Sequence, residues 1–112
     1  MRVVSIGDTQ YEIKYGQNAI CALEDEVDDS IINLVQRLEK GNKLKFSDLR
    51  AIVWAGMLAQ RRSITPEAVG ALCDEAGVSV RAVAMECVNE LVDSFRRYIL
   101  LDDGKGDAEK NE

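Results

Sequence analysis

Histidine is absent from this 112-residue chain. The chain therefore lacks the commonest general base and proton shuttle, and a cysteine nucleophile would have no imidazole to activate it. The sequence also contains no glycine-rich phosphate loop and no nucleophile elbow. A catalytic pair of carboxylates stays open on composition, because two carboxylates can meet from distant positions. We expect a protein that is not an enzyme, with no catalytic residues and no cofactor.

Cysteine is scarce, and its three copies, Cys21, Cys73 and Cys87, are widely separated. An odd number without short-spaced pairs disfavours both a disulfide framework and a zinc site. Each cysteine falls on or beside an apolar helix face, where free cysteine usually packs as a small hydrophobic residue. We therefore predict core packing for all three.

Long apolar runs and a signal peptide are also missing, so we expect no membrane partner and a cytoplasmic location. The net charge of −6 argues against a general nucleic-acid binder, which needs a positive field to attract phosphates. The charge is uneven, however: residues 42–62 carry five bases and one acid, whereas residues 15–41 carry six acids and two bases. Such opposed patches favour either docking to a charged partner or a homo-oligomer, unless they are ordinary solvated faces.

The N-terminal residues predict a β-hairpin over residues 1–15. Residues 2–6 and 9–15 are rich in β-branched and aromatic side chains, and Gly7 and Asp8 lie between them. Glycine at the first central position of a two-residue connection fits a type II′ turn. Since an isolated hairpin is only marginally stable, we expect it to lie against helices or to pair with another chain.

Five helices are predicted after the hairpin, from apolar residues at spacings of three and four and from capping residues. Either Asp29 or Ser30 caps the second helix, and Gly41 ends it. The only proline, Pro66, follows Thr65 and marks the start of the fourth. The predicted spans are about 17–27, 31–40, 47–62 and 65–77, with a long fifth helix that follows Ser79.

The sequence thus predicts a mainly α fold: one compact five-helix domain over residues 1–101, preceded by the hairpin. Residues 102–112 are charged and poor in apolar side chains, so they are predicted to form a disordered acidic tail. Residues 49–58, LRAIVWAGML, are too apolar for a surface helix. We expect that helix at the centre of the domain, with Trp54 largely buried.

Residues 24–29, EDEVDD, are a dense acidic run that suggests a hard-cation site. The run lacks the alternating ligand spacing and the turn glycine of a calcium loop. A helix also distributes its carboxylates over different faces, so they would not converge on one ion. We predict a solvated face and a helix cap rather than a metal site.

Residues 69–83, VGALCDEAGVSVRAV, have the helix–glycine turn–helix layout of a DNA reader. The second helix begins SVRAVAMECVNE and offers Arg81 as its only cation, whereas readers present several polar and basic residues there. A DNA-binding regulator with a degenerate recognition helix is therefore the alternative function.

The apolar stripe of the fifth helix continues to its end, where four residues form a candidate partner-binding site: Phe95, Tyr98, Ile99 and Leu101. By then the helix has run past what shorter neighbours of about 10–15 residues can cover, at ~1.5 Å per residue. Either the hairpin covers these side chains or they are free for self-association or for a partner helix.

A series of short motifs is spaced along most of the chain: Tyr15-Gly16, Leu23-Glu24, Leu38 with Gly41, Leu49-Arg50-Ala51, Trp54-Ala55-Gly56, Thr65-x-Glu67-x-Val69-Gly70, Leu72-x-Asp74 and Ala76-Gly77. Together they resemble the tail assembly chaperones of tailed phages and gene transfer agents, small proteins encoded near the tail tube and tape-measure genes. The similarity covers about residues 9–98.

The resemblance implies a non-enzymatic role in building a long tail. Such chaperones coat the tape-measure protein, help to recruit tail tube protein and are absent from the finished virion. A long amphipathic tape-measure helix would aggregate unless its apolar surface were covered. A small acidic helical protein with a groove could provide that cover.

Overall fold

The fold is known from a computed structural model that describes residues 1–40 and 44–110, with side chains described as far as residue 101. It confirms the predicted architecture of an N-terminal two-stranded hairpin followed by five helices. The elements are β1 (Arg2–Ile6), β2 (Thr9–Ile13), α1 (Gln17–Val27), α2 (Ile31–Glu39), α3 (Phe46–Met57), α4 (Pro66–Ala76) and α5 (Val80–Lys110).

Two predictions fall wholly or partly outside the described part of the chain. Gly41, predicted to end the second helix, lies outside the described residues. The predicted disordered tail covers residues 102–112; the backbone of residues 102–110 is described as the end of α5, but no side chain beyond residue 101 is described, so the disorder stays a prediction.

The hairpin pairs β1 and β2 antiparallel, with Ile6 opposite Thr9 next to the turn. Gly7 has φ +64°, and among the described non-glycine residues only Asp28 has a positive φ, so the turn has the predicted type II′ sign pattern. Alternate residues of both strands face the helices and are buried: Val4, Ile6, Tyr11 and Ile13. The hairpin thus lies against the helices, one of the two predicted arrangements.

The second strand ends at Ile13, two residues earlier than predicted. The amide of Lys14 donates to the carbonyl oxygen of Gly56 in α3 at 3.0 Å instead of continuing the ladder. Tyr15 then enters the core, where its hydroxyl donates to the carbonyl oxygen of Ile52. The chain leaves the sheet because α3 supplies better partners for these backbone and side-chain groups.

The acidic run joins α1 to α2 and satisfies their exposed ends. Glu24 Oε2 accepts from the Ile31 amide at 2.8 Å, and Asp29 Oδ1 accepts from Asn33 Nδ2 at 3.0 Å. Hydrogen bonds, that from Asn33 foremost, lower the pKa of Asp29 below its usual range. Ser30 is the N-cap, since its Oγ accepts from the Asn33 amide at 3.1 Å. The run therefore acts as the predicted helix cap.

Helix α3 is the centre of the core, as predicted, but its bounds differ from those expected at about 47 and 62. Its N-cap is Lys45, with Asp48 accepting from the Lys45 amide at 3.4 Å, so the helix starts earlier than expected. It ends at Met57, and the Gly56 carbonyl, which a longer helix would pair with the Gln60 amide, is bonded to Lys14 instead. The strand thus replaces the last turns of the predicted helix.

Helix α4 matches its sequence signals closely. Thr65 Oγ1 accepts from the Ala68 amide at 3.1 Å, and Pro66 occupies the first turn. Gly77 ends the helix in a left-handed conformation with φ +68°, which glycine adopts without a steric penalty. Val69 and Cys73 face the core, so α4 closes one side of α3.

Trp54 has intermediate exposure and packs against the core, so its side chain is largely but not completely buried. The ring lies at the edge of the core, and its Nε1 donates to the carbonyl oxygen of Ile64 at 2.8 Å. Trp54 therefore fastens the loop after α3 to the helix rather than filling the centre. Ile52 and Val53, fully buried beside it, hold the central positions.

We expect Trp54→Phe to lower the free energy of unfolding by about 1–2 kcal/mol, because it removes the hydrogen bond to Ile64 and only part of the ring contacts. The measurement is urea denaturation followed by circular dichroism. A loss well above this range would show that Trp54 packs more tightly than its partial exposure indicates.

Candidate functional site

The fold brings the four predicted partner-binding residues together in one groove. Phe95, Tyr98, Ile99 and Leu101 of α5 form one wall, and five residues of α1 and α2 form the other. The lining from α1 and α2 is Gln17, Ile20, Cys21, Ile31 and Ile32. This α1–α2–α5 groove has a cavity volume of about 360 Å³.

The lining of the groove is apolar and partly open to solvent. Phe95, Tyr98 and Ile99 are partly buried, while Leu101 is 59% exposed and Ile32 is 49% exposed. Tyr98 also packs against the main core. Exposed aliphatic side chains beside partly buried aromatic ones form the kind of surface that accepts an apolar helix face.

The hairpin contacts α5 nearer its N-terminal end. The Met1 amino group pairs with Glu90 Oε2 at 2.9 Å, one turn or more before the groove begins at Phe95. In the described part of the chain the groove lining comes from helices alone. The hairpin therefore does not line this end of α5 in the described part of the chain, whereas α1 and α2 partly cover it.

Sequence reasoning missed the α1 and α2 wall of the groove. Apolar residues at spacings of three and four predict the buried face of the second helix, and a face that includes Ile31 leaves out the adjacent Ile32. The available signal was an isoleucine that lies outside the core-facing stripe, because such a residue is either exposed to solvent or part of a second contact surface. Nothing local marked Ile20 and Cys21 as groove residues, since that depends on how α1 and α2 meet α5.

The cysteines divide into two groups. Cys73 and Cys87 are buried, as predicted, but Cys21 is exposed in the groove wall, so its predicted core role was wrong. Burial raises the pKa of the Cys87 thiol to about 12 and also raises that of Cys73.

These differences predict selective thiol chemistry. In the native protein Cys21 should react with a thiol reagent, while Cys73 and Cys87 should react only after unfolding, because they are buried and stay protonated. Mass spectrometry of the labelled native protein would locate the modified residue. Cys21→Ser is the control, and rapid native labelling of that variant would contradict the assigned burial.

Charged residues border the groove asymmetrically. On the α1 side, Asp25, Glu26 and Asp28 are exposed, and none forms an ion pair with a described residue. On the α5 side, Arg97 lies one helical turn before Leu101, and its guanidinium is 6.0 Å from the Tyr98 ring centroid. Among the described residues, the α1 edge of the groove is therefore the more negative of the two.

The chemistry of the described residues offers no metal centre: no three acidic or cysteine side chains in this part of the chain converge on one point. Among the described helices, none has the length and apolarity that a membrane span needs.

The corner between α4 and α5 has the helix–turn–helix layout that the sequence suggested. Helix α5 is the second helix of this corner, and its buried residues there are Val80, Val83 and Ala84. Its exposed side carries Arg81, Ala82, Met85 and Glu86. That surface presents one cation beside an acid and an apolar side chain.

Comparison with known protein families identifies a match over residues 2–95, to the family described as phage tail tube protein, GTA-gp10. The chain belongs to this family. The expected relation to the tails of phages and gene transfer agents is thereby confirmed at the level of the family. Neither curated proteins nor solved structures gave a match.

The matched region of this tail-protein family includes the hairpin, the first four helices and α5 as far as Phe95. It therefore contains the whole α1–α2 wall of the groove. The other α5 lining residues, Tyr98, Ile99 and Leu101, follow the matched region. The groove is thus built partly by the family domain and partly by the extension of α5 beyond it.

Proposed function

We propose that this tail-family protein is an assembly chaperone that binds the tape-measure protein and helps to recruit tail tube subunits. The observation that carries the proposal is the apolar α1–α2–α5 groove, whose exposed members include Ile32 and Leu101. A chaperone needs an accessible apolar surface for its client and a polar exterior elsewhere. The net charge of −6 supplies the second property.

The dimensions of the groove suit a helical client. From Phe95 to Leu101 the α5 wall rises by ~9 Å, at ~1.5 Å per residue. Two turns of a client helix would place apolar side chains at positions i, i+3, i+4 and i+7 against such a wall. A tape-measure protein is a long helical molecule, so it could offer such segments repeatedly and bind several copies of the chaperone.

A second candidate is that the protein is itself a subunit of the tail tube, because the family description names a tube protein. The two functions differ in where the chain ends up. A tube subunit is a major component of the finished tail, whereas an assembly chaperone acts on cytoplasmic intermediates and leaves them. The groove favours the chaperone function. In a finished tube its exposed apolar lining would have to be covered permanently by a neighbouring subunit, whereas a chaperone needs that lining to be accessible.

The deciding experiment follows the protein through assembly. We expect an affinity-tagged chain to co-purify with the tape-measure protein of its own gene cluster from producing cells, and to be missing from purified tails by mass spectrometry. We also expect co-expression to raise the soluble yield of the tape-measure protein. Recovery of the chain as a stoichiometric component of finished tails would establish the tube subunit instead.

A DNA-binding role receives less support from the exposed side of α5. With Arg81 beside Glu86 and an acidic chain overall, specific duplex binding is not expected. We propose accordingly that the protein binds proteins rather than nucleic acid and that it has no catalytic activity. A sequence-dependent mobility shift of duplex DNA at physiological salt would overturn the first of these statements.

A further inference from the structure

We propose that the α1–α2–α5 groove selects an amphipathic helix whose apolar stripe is bordered on one side by lysine or arginine. This inference rests on the proposed function, because it describes the chemistry of the client at the same groove. It adds what the apolar lining alone cannot provide, namely a preference among the many helices that carry an apolar stripe.

The negative edge of the groove continues directly from its lining. Cys21 lines the groove, and Asp25 lies one turn further along the same face of α1. Asp28 follows at the end of α1, shortly before the lining residue Ile31. A basic side chain on a bound helix could therefore reach these carboxylates while its apolar neighbours contact the groove.

These carboxylates are free to attract a partner. Two neighbouring acids are already used within the fold, because Glu24 accepts from the Ile31 amide and Asp29 pairs with Arg37 at 3.3 Å. Asp25 and Asp28 have no such ion pair among the described residues. The last turn of α1 contains no basic residue, so the negative end of its helix dipole adds to the same field.

Among the described residues, the opposite edge presents a guanidinium near Leu101 instead of further carboxylates. Arg97 donates from Nη2 to Ser94 Oγ at 3.3 Å and lies one turn before Leu101. A helix with basic residues along both edges would meet this guanidinium, whereas one with a single basic edge would not. The two edges therefore favour one orientation of the client helix in the groove.

The test uses the full chain and three synthetic amphipathic peptides. All three carry the same leucine stripe, and one edge of that stripe carries lysine, glutamine or glutamate. We expect the lysine-edge peptide to bind about tenfold more tightly than the glutamate-edge peptide at low salt, by fluorescence anisotropy, with the ratio shrinking as salt rises.

Matched variants assign the preference to particular carboxylates. Asp25→Asn with Asp28→Asn should reduce the tenfold ratio to about twofold. Asparagine is suitable at position 28, where φ is 56°, because it tolerates the left-handed conformation. Asp74→Asn with Glu75→Gln removes two exposed carboxylates of α4 instead and should leave the ratio unchanged.

Equal affinity for the three peptides, no binding of any peptide, or an unchanged ratio in the α1 variant would each overturn the inference. The proposed function is judged separately, by capture of the tape-measure protein. Capture without any charge preference would leave the chaperone function standing and remove only this selection. Failure of capture would remove the chaperone function whatever the peptides show.

Discussion

Gly56→Ala should be among the most destabilising single-methyl changes in this protein, with a loss of about 3 kcal/mol in the free energy of unfolding. A Cβ at position 56 would lie 2.6 Å from Ile13 Cγ2 and 2.9 Å from both Cζ and the hydroxyl oxygen of Tyr15. Neither neighbour can move easily, because Ile13 and Tyr15 are buried. Such a loss is a large fraction of the ~5–15 kcal/mol that holds a small domain folded.

The clash also disturbs a hydrogen-bonded corner. The Gly56 carbonyl accepts from Lys14, and the Tyr15 hydroxyl donates to Ile52. Burial, with Cys87 beside the phenol, holds the pKa of Tyr15 well above its usual range. Displacing this buried hydroxyl would cost its hydrogen bond to Ile52. Urea denaturation followed by circular dichroism measures the effect.

Gly70→Ala provides the matched control. Gly70 lies within α4, and a Cβ there would meet only Arg50 Cδ, at an ordinary contact distance of 3.7 Å. We expect this substitution to stabilise the protein by about 0.5–1 kcal/mol, since alanine favours the helix. If both glycine variants lost stability equally, the effect at Gly56 could not be attributed to its contact with the strand.

The sequence predicted the order and type of every element because each is specified locally. Thr65, Pro66 and Gly77 define α4, and the glycine turn between two β-branched runs defines the hairpin. The errors arose where an element that is distant in the sequence determines where a helix or strand ends. Helix α3 ends early because Lys14, more than 40 positions away in the sequence, takes the Gly56 carbonyl.

The candidate site was predicted in part for the same reason. The four α5 residues were predicted because the apolar stripe of that helix extends beyond the length that the shorter helices can cover. Ile32 and Cys21 were not found, since their exposure depends on the angle at which α1 and α2 meet α5. Capping bonds from Glu24 and Ser30 fix the start of α2, but a stripe of apolar residues carries no information about how α1 and α2 pack on α5.

The largest functional effect is expected from replacing the two most exposed aliphatic side chains of the groove. Ile32→Gln with Leu101→Gln should abolish co-purification with the tape-measure protein while leaving helical circular dichroism intact. Ile32 is 49% exposed and Leu101 is 59% exposed, so both have little packing to lose in the free protein. Truncating Phe95 and Tyr98 would be less informative, because Tyr98 also packs against the core.

The expected size follows from the apolar surface that a client helix would cover. Each aliphatic side chain buried on binding contributes ~1.5 kcal/mol or more, so losing two weakens binding by ~100-fold or more. Glutamine keeps the net charge and tolerates a helix, so neither electrostatics nor folding is altered. Met85→Gln changes an α5 side chain that is 53% exposed outside the groove, and it should bind normally. If the groove variant bound as well as the Met85 variant, the client would have to contact another face of the protein, because apolar contact at Ile32 and Leu101 could not then contribute to its affinity.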